Sequence, residues 1–225
     1  MCKVCVSIAD EERILESIEE AMNKGADLVE IRLDYIKGLN EGKIEEKLKP
    51  LRKYEIPKIA TIMPKFIFGR FEGSAQRRIE LLIKASDYVD FIDIGAEVGE
   101  NLIKNNIKEF LKKTNVIISW HLNQSISYDE ICSIVKKYGD YEVIHKVVMP
   151  ARGLEDNIVA LKASSSLKNY KRIIFCYGEG GVISRLLCPF FGSEWTYAAL
   201  KEDMKTAPGQ ITIEKIKFIY ERLKK

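Results

Sequence analysis

Eight short runs of β-branched and apolar residues recur along the chain, separated by stretches with helical spacing, and this alternation limits the fold more than any other feature. The runs cover residues 4–8, 28–33, 59–62, 88–94, 116–120, 143–148, 173–177 and, more weakly, 195–198. Between them, residues 13–22, 77–84, 102–112, 128–137 and 211–223 repeat apolar side chains three and four apart, as one face of a helix requires. Strands joined by crossover helices pair in parallel, and the right-handed sense of such crossovers lets the sheet close on itself. A unit length of roughly 28 residues over 225 fits a (β/α)8 TIM barrel. The rival, an open doubly wound sheet, usually carries a glycine-rich phosphate turn after its first strand. Here that strand runs into Ala9-Asp10-Glu11. No Pro/Gly/Ser-rich linker interrupts the pattern, so residues 1–225 read as a single domain.

Charge narrows the function classes. Lys plus Arg total 36 against 33 Asp plus Glu, a net charge of +3. Basic residues matched by acids give no field for holding a nucleic-acid backbone or a membrane surface, so neither partner is expected. No apolar run reaches the roughly 18 residues a spanning helix needs. The N-terminal residues alternate like a strand and then meet Asp10-Glu11-Glu12, unlike a signal peptide, so a cytoplasmic location is expected. Five cysteines, an odd number set in apolar segments, read as reduced thiols. Cys2 and Cys5 have metal-ligand spacing, but on a strand they face opposite ways and no second pair follows, so no metal site is expected.

A parallel barrel buries both faces of its strands, which makes polar strand residues the informative ones. In Val29-Glu30-Ile31-Arg32-Leu33-Asp34, Glu30 and Arg32 share the face opposite Val29, Ile31 and Leu33. They point into the barrel, either as a structural ion pair or as a pair that binds substrate hydroxyls. In Val143-Ile144-His145-Lys146-Val147-Val148, Lys146 lies among apolar neighbours near the C-terminal strand end, where barrel active sites sit. Desolvation lowers the pKa of such an amine and leaves a neutral fraction able to attack a carbonyl and form a Schiff base. The other reading is a buried lysine held by a carboxylate. His145 has the opposite parity and is expected to face the helices. His121 ends the neighbouring run Ile117-Ile118-Ser119-Trp120-His121 and could shuttle protons beside Lys146. Tyr177-Gly178-Glu179-Gly180-Gly181 opens a helix carrying Arg185; its amides and that guanidinium suit a carboxylate, unless Arg185 is a surface ion-pair partner. Thr206-Ala207-Pro208-Gly209-Gln210 forms a tight loop able to turn a hydroxyl and an amide inward.

These segments together resemble type I 3-dehydroquinate dehydratases, the Schiff-base enzymes of the shikimate pathway. The likeness rests on the residue 29–34 motif, Ser119-Trp120-His121, Lys146-Val147-Val148-Met149-Pro150, Gly181-Val182-Ile183-Ser184-Arg185, Phe191-Gly192-Ser193 with Thr196-Tyr197-Ala198, and Ala207-Pro208-Gly209-Gln210. The resemblance implies a (β/α)8 barrel, commonly dimeric, with no metal or organic cofactor. It implies that Lys146 forms an imine with the C3 ketone of 3-dehydroquinate and that His121 takes the C2 proton and protonates the departing C1 hydroxyl. It further implies that Arg185 and Gln210 hold the substrate carboxylate, and that Glu30 and Arg32 bind ring hydroxyls with Ser7 close by. Thr206 stands where the family has a serine and retains the hydroxyl.

The region after the third strand departs from the family pattern of T-x-R followed by a glutamate and two glycines. In Thr61-Ile62-Met63-Pro64-Lys65-Phe66-Ile67-Phe68-Gly69, Met63 takes the arginine position and Ile67 the glutamate position. Gly95 in Ile92-Asp93-Ile94-Gly95 replaces a glutamate. Lys65 or Arg70 is then the expected substitute cation, and Phe175 and Tyr177 are expected to wall the pocket where the family has methionines. Two alternatives stay open. One is Schiff-base chemistry on another small keto-acid or a sugar phosphate; the other is a homologue that binds ligand without turnover, for which Met63, Ile67 and Gly95 speak.

Overall fold

The computed structural model describes residues 2–223. Its strands are β1 (Lys3–Ile8), β2 (Leu28–Arg32), β3 (Lys58–Thr61), β4 (Phe91–Gly95), β5 (Asn115–His121), β6 (Val143–Pro150), β7 (Arg172–Tyr177) and β8 (Trp195–Ala199). All pair in parallel, in the order β7-β6-β5-β4-β3-β2-β1-β8. At the remaining seam Glu194 N donates to Arg172 O at 2.9 Å, and Ile174 N donates to the Ser193 hydroxyl at 3.0 Å. The sheet is thereby nearly closed, as the eightfold alternation predicts.

The helices are α1 (Ile14–Asn23), α2 (Glu41–Leu48), α3 (Ala75–Ala85), α4 (Glu100–Leu111), α5 (Tyr128–Lys136), α6 (Leu154–Ser166), α7 (Val182–Leu187) and α8 (Ile213–Leu223). Several start on side-chain caps that satisfy otherwise orphaned amides: Asn40 for α2, Ser74 for α3, and a reciprocal Ser127–Glu130 capping box for α5. The run at 88–94 is shorter as a strand than its composition suggests. Tyr88 N donates to Ala85 O, closing α3 with a turn, and pairing begins only at Phe91.

Strand parity sorts the side chains as the sequence requires. Val29, Ile31, Ala60, Ile92 and Ile118 pack outward with Ile18, Leu48, Ile79 and Ile107 from the helices in the main core. Inside the barrel a second cluster, including Cys5, Leu28, Ile59, Ile117, Ile144 and Trp195, fills the floor. Above that floor the interior turns polar, and there the C-terminal strand ends form a cavity. His145 faces the helices as expected, stacked 6.3 Å from Trp120 and edge-on to Tyr170 at 5.8 Å. Burial pushes its pKa down to about 4. No helix of the described residues is long and apolar enough to cross a membrane.

Candidate active site

The cavity at the C-terminal mouth is small, about 60 Å³, and its walls include eight residues singled out from the sequence: Ser7, Glu30, Arg32, His121, Lys146, Arg185, Thr206 and Gln210. Phe175 and Tyr177 wall it too, as predicted, and Met63 and Phe68 come in from the segment after β3.

Lys146 stands on β6, level with Ser119 on β5, and is 5 % exposed. Its Nζ donates to Asp93 Oδ2 at 2.8 Å and lies 3.7 Å from Glu30 Oε1. The nitrogen also sits 4.4 Å from the centre of the Tyr197 ring. These contacts overturn the expectation of a depressed amine. Burial does lower the lysine's pKa, but Asp93 and Glu30 outweigh it, and the net direction is upward. The magnitudes explain why. With an effective dielectric near 20, unit charges at these two separations attract by about 6 and about 4 kcal/mol, more than the few kcal/mol by which burial penalises one ammonium. The resting nitrogen is therefore cationic, and the two sequence readings of Lys146 merge: it faces the cavity and a carboxylate holds it.

Asp93 in turn accepts from the Ser119 hydroxyl at 2.5 Å. Glu30 accepts from Ser7 Oγ at 2.8 Å and from Thr61 Oγ1 at 3.0 Å. The Glu30–Arg32 ion pair considered from the sequence does not form. Arg32 instead grips Asp34 through two bonds of 2.9 and 2.8 Å and donates to Phe68 O at 3.2 Å. Local geometry decides this: two residues along, the chain leaves β2 and turns into a short 3-10 segment, Leu33–Tyr35, which carries Asp34 back over the guanidinium.

At the tip of β5, His121 has a buried Nδ1 with no partner among the described residues. Its pKa lies well below the usual value through burial and the nearby Lys146, Arg32 and Arg185 cations, so the ring is neutral. Across the cavity, Arg185 is 2 % exposed, which rules out the surface-partner reading. It packs over Phe175 at 4.6 Å, and among the described residues it donates to Pro208 O at 3.4 Å. Nε has no partner and no carboxylate pairs with it among the described residues; burial alone pushes its pKa down to about 10. An unpaired buried guanidinium is costly unless an anion completes it. The amides of the glycine turn, by contrast, do not line the cavity, so they offer no cradle there. Asn157 stitches that turn to α7 instead, accepting from Ser184 N and donating to Gly180 O. Gln210 Oε1 accepts from Thr206 N at 2.7 Å and from its hydroxyl at 3.2 Å, leaving the Gln210 NH2 to be offered elsewhere.

The segment after β3 folds as a looped excursion closed by a parallel bridge between Pro64 and Phe71. Phe71 N donates to Met63 O and Lys65 N to Phe71 O, both at 3.1 Å. At its tip Phe68 takes a positive φ of 52° and meets Tyr177 edge-on at 5.1 Å over the cavity mouth. Neither proposed substitute cation reaches in. Lys65 is turned outward to Glu72 at 2.6 Å, and Arg70 lies over Tyr35 at 4.0 Å beside a separate surface depression. Residues 64–71 thus close on themselves, and Glu72 just beyond them turns outward to Lys65 and does not line the cavity. At the end of β4, the Glu97 carboxylate lies where a Gly95 side chain would project and pairs with buried Arg78 at 2.6 Å.

Sequence reasoning missed Asp93, Ser119, Thr61 and Phe68. Asp93 was findable by the rule that found Glu30, since it is an acid inside the apolar run Phe91-Ile92-Asp93-Ile94.

Comparison with known proteins agrees with this geometry. A family described as Type I 3-dehydroquinase matches residues 2–225. The 3-dehydroquinate dehydratase of Methanopyrus kandleri is 30% identical over 213 residues, 94% of each chain. That of Methanococcus maripaludis strain C5 is 32% identical, over 97% of this chain and 98% of its own. Among solved structures, the type I 3-dehydroquinate dehydratase of Clostridium difficile with covalently modified comenic acid superposes with a TM-score of 0.89 at 27% identity, covering 99% of this chain and 92% of that one. With a whole-length family match and a barrel that brings its expected side chains to one cavity, this chain belongs to the type I 3-dehydroquinase family.

Proposed function

We propose that the chain dehydrates 3-dehydroquinate to 3-dehydroshikimate through an imine on Lys146. The observation that carries this reading is a buried guanidinium, Arg185, without a carboxylate partner among the described residues, in the same cavity as a lysine nitrogen. A substrate that brings both a carboxylate and a ketone satisfies the two together. Arg185 and the Gln210 NH2 bind the carboxylate, and Thr206 orients Gln210. Glu30, positioned by Ser7 and Thr61, accepts from ring hydroxyls, and Arg32 donates on the side toward Phe68.

The ammonium of Lys146 first gives up a proton, and the free amine adds to the ketone carbon. The carbonyl oxygen takes up protons and leaves as water, and a cationic iminium remains. His121 then removes the C2 proton; that electron pair forms the C2=C3 bond and the C=N π pair moves onto nitrogen to give an enamine. The enamine expels the C1 hydroxyl, which His121 protonates, and hydrolysis frees product and lysine. A ring kept neutral by burial is in the form a base needs, and once protonated beside cations it is a strong acid for the leaving group. Holding ketone, base and anion site in one frame supplies much of the rate by proximity.

The test is turnover followed by growth of the conjugated-enone absorbance, with Lys146→Ala as control, and borohydride trapping of substrate on Lys146 read by mass. Turnover lost in the variant and a substrate-sized adduct on Lys146 support the reading; clean wild type without turnover ends it. One observation favours a second reading. Met63 and Phe68 make one wall apolar, which suits imine chemistry on a small keto-acid with fewer hydroxyls. Trapping across a panel of ketones, with dehydroquinate as competitor, separates the two. A single catalytic domain, a homodimer and a cytoplasmic location complete the proposal, and sedimentation tests the dimer.

A further inference from the structure

Asp93 has no part in the roles assigned above, yet it makes the shortest polar contact to the reacting nitrogen. We propose that Asp93 is a catalytic residue, the fixed counter-ion of the Lys146 nitrogen both as resting ammonium and as the iminium that draws electrons during elimination, with Ser119 holding its carboxylate in place. The inference rests on the imine chemistry proposed for Lys146.

Three observations carry it. Asp93 Oδ2 lies 2.8 Å from Nζ, nearer than Glu30 at 3.7 Å. Its other oxygen, Oδ1, is tied to the Ser119 hydroxyl at 2.5 Å, so the carboxylate cannot swing away. Both partners are buried inside the barrel wall, where Ser119 is level with Lys146 on one side and with Gly95, two residues past Asp93, on the other. The remaining groups facing the nitrogen are the Tyr197 ring from β8 and the buried Cys5 thiol from β1, with neutral His121 from β5. None of these is an anion, so Asp93 and Glu30 supply the negative charge, and Glu30 already serves two hydroxyls.

The chemistry assigns the ion pair a use at each stage. Before reaction it keeps the amine protonated, which slows addition to the ketone. After the C–N bond has formed and water has left, the nitrogen carries its positive charge as C=N⁺–H, with the N–H aimed at the same carboxylate. When His121 takes the C2 proton, the C2–H electron pair becomes the C2=C3 bond and the C=N π pair moves onto nitrogen. That sink is effective only while the nitrogen stays protonated. No oxidant or further reactant is needed.

Asp93→Asn removes the charge and keeps the shape. Competitive labelling of amines with acetic anhydride across pH, read by mass at Lys146, reports how readily that nitrogen holds its proton without involving substrate. The expected result is a labelling midpoint at least one pH unit lower than in wild type, with kcat on dehydroquinate reduced at least 30-fold. Ser119→Ala is expected to fall between, with a loss of three- to tenfold. A cooperative thermal melt and a labelled Lys146 confirm that each variant is folded. An unmoved or raised midpoint overturns the inference, and so does a kcat within threefold of wild type. If wild type fails to turn over dehydroquinate, the functional reading fails separately, and the labelling shift still decides whether Asp93 sets the charge on Lys146.

Discussion

Replacing Arg185 by methionine should move stability and binding in opposite directions. The guanidinium is 2 % exposed and has no carboxylate partner among the described residues. Burial lowers its pKa from 12.5 to about 10, and at about 1.4 kcal/mol per unit this corresponds to a burial penalty of roughly 3 kcal/mol. Methionine has a similar reach and no charge, so it relieves that penalty. It forfeits the weak bond to Pro208 O and part of the packing over Phe175, together about 1–2 kcal/mol. The ligand-free protein should gain about 1–2 kcal/mol, which raises Tm by roughly 2–8 °C for a chain of this size. Against substrate the sign reverses. Losing a charge-assisted, partly bidentate contact to a carboxylate costs about 3–5 kcal/mol in a dry site, or roughly two to four powers of ten in kcat/KM. Urea melts without ligand give the first quantity and steady-state kinetics the second. If the variant loses more than about 1 kcal/mol of stability while kcat/KM stays within threefold of wild type, then Arg185 is a structural cation and the anion-site argument is refuted.

Glu97→Ala strips the partner from buried Arg78 and should cost about 3 kcal/mol in urea melts, with kcat changed less than threefold at permissive temperature. Gly69→Ala places a Cβ on the Met63 carbonyl, so the loop must open and carry Phe68 off the mouth; kcat/KM should drop at least tenfold while Tm moves by only a few degrees. Lys65→Ala and Arg70→Ala should each leave KM unchanged, since both side chains are engaged outside the cavity. The pH dependence of stability follows from the two histidines. His145 is depressed to about 4 in the fold, so the unfolded chain binds the extra proton below about 6.5 and stability declines as pH drops from 6.5 toward 4. The loss from His145 approaches about 3 kcal/mol, His121 adds to it in the same sense, and His145→Leu should flatten the slope of melts measured across that window.

What strand periodicity made legible was direction. Parity alone put Glu30 and Lys146 inside the barrel and His145 outside, because both faces of a parallel strand must be filled and a charge tolerates only the polar end of the interior. What it left hidden was partnership. Arg32 appears from β2 alone to pair with Glu30, but the turn after the strand brings Asp34 back over it, and Glu30 is taken by hydroxyls from β1 and β3. Likewise, a period-two reading of β6 shows Lys146 with apolar neighbours above and below. Nothing local reveals that Asp93, 53 residues away in sequence, approaches it from two strands along the barrel wall. The looped excursion at 64–71 escaped for a related reason: its closing bonds join Met63 and Lys65 to Phe71, contacts that a linear reading of the segment does not show.

The reversal at Lys146 bears on how such a barrel can support imine chemistry. A depressed amine attacks well, but its imine is also reluctant to keep a proton, and a neutral imine is a poor electron sink. A lysine raised by a fixed carboxylate attacks less readily yet yields an iminium that stays charged while C–H and C–O bonds break. Burial and ion pairing pull the nitrogen in opposite directions here, and at 2.8 Å the pairing wins. The position of Asp93 thus favours the later, harder bond-breaking steps over the first addition. That choice suits the proposed reaction, in which Arg185 and Gln210 would grip the carboxylate and so set the ketone beside the nitrogen, because a bound substrate tolerates a small fraction of free amine far better than a collision would.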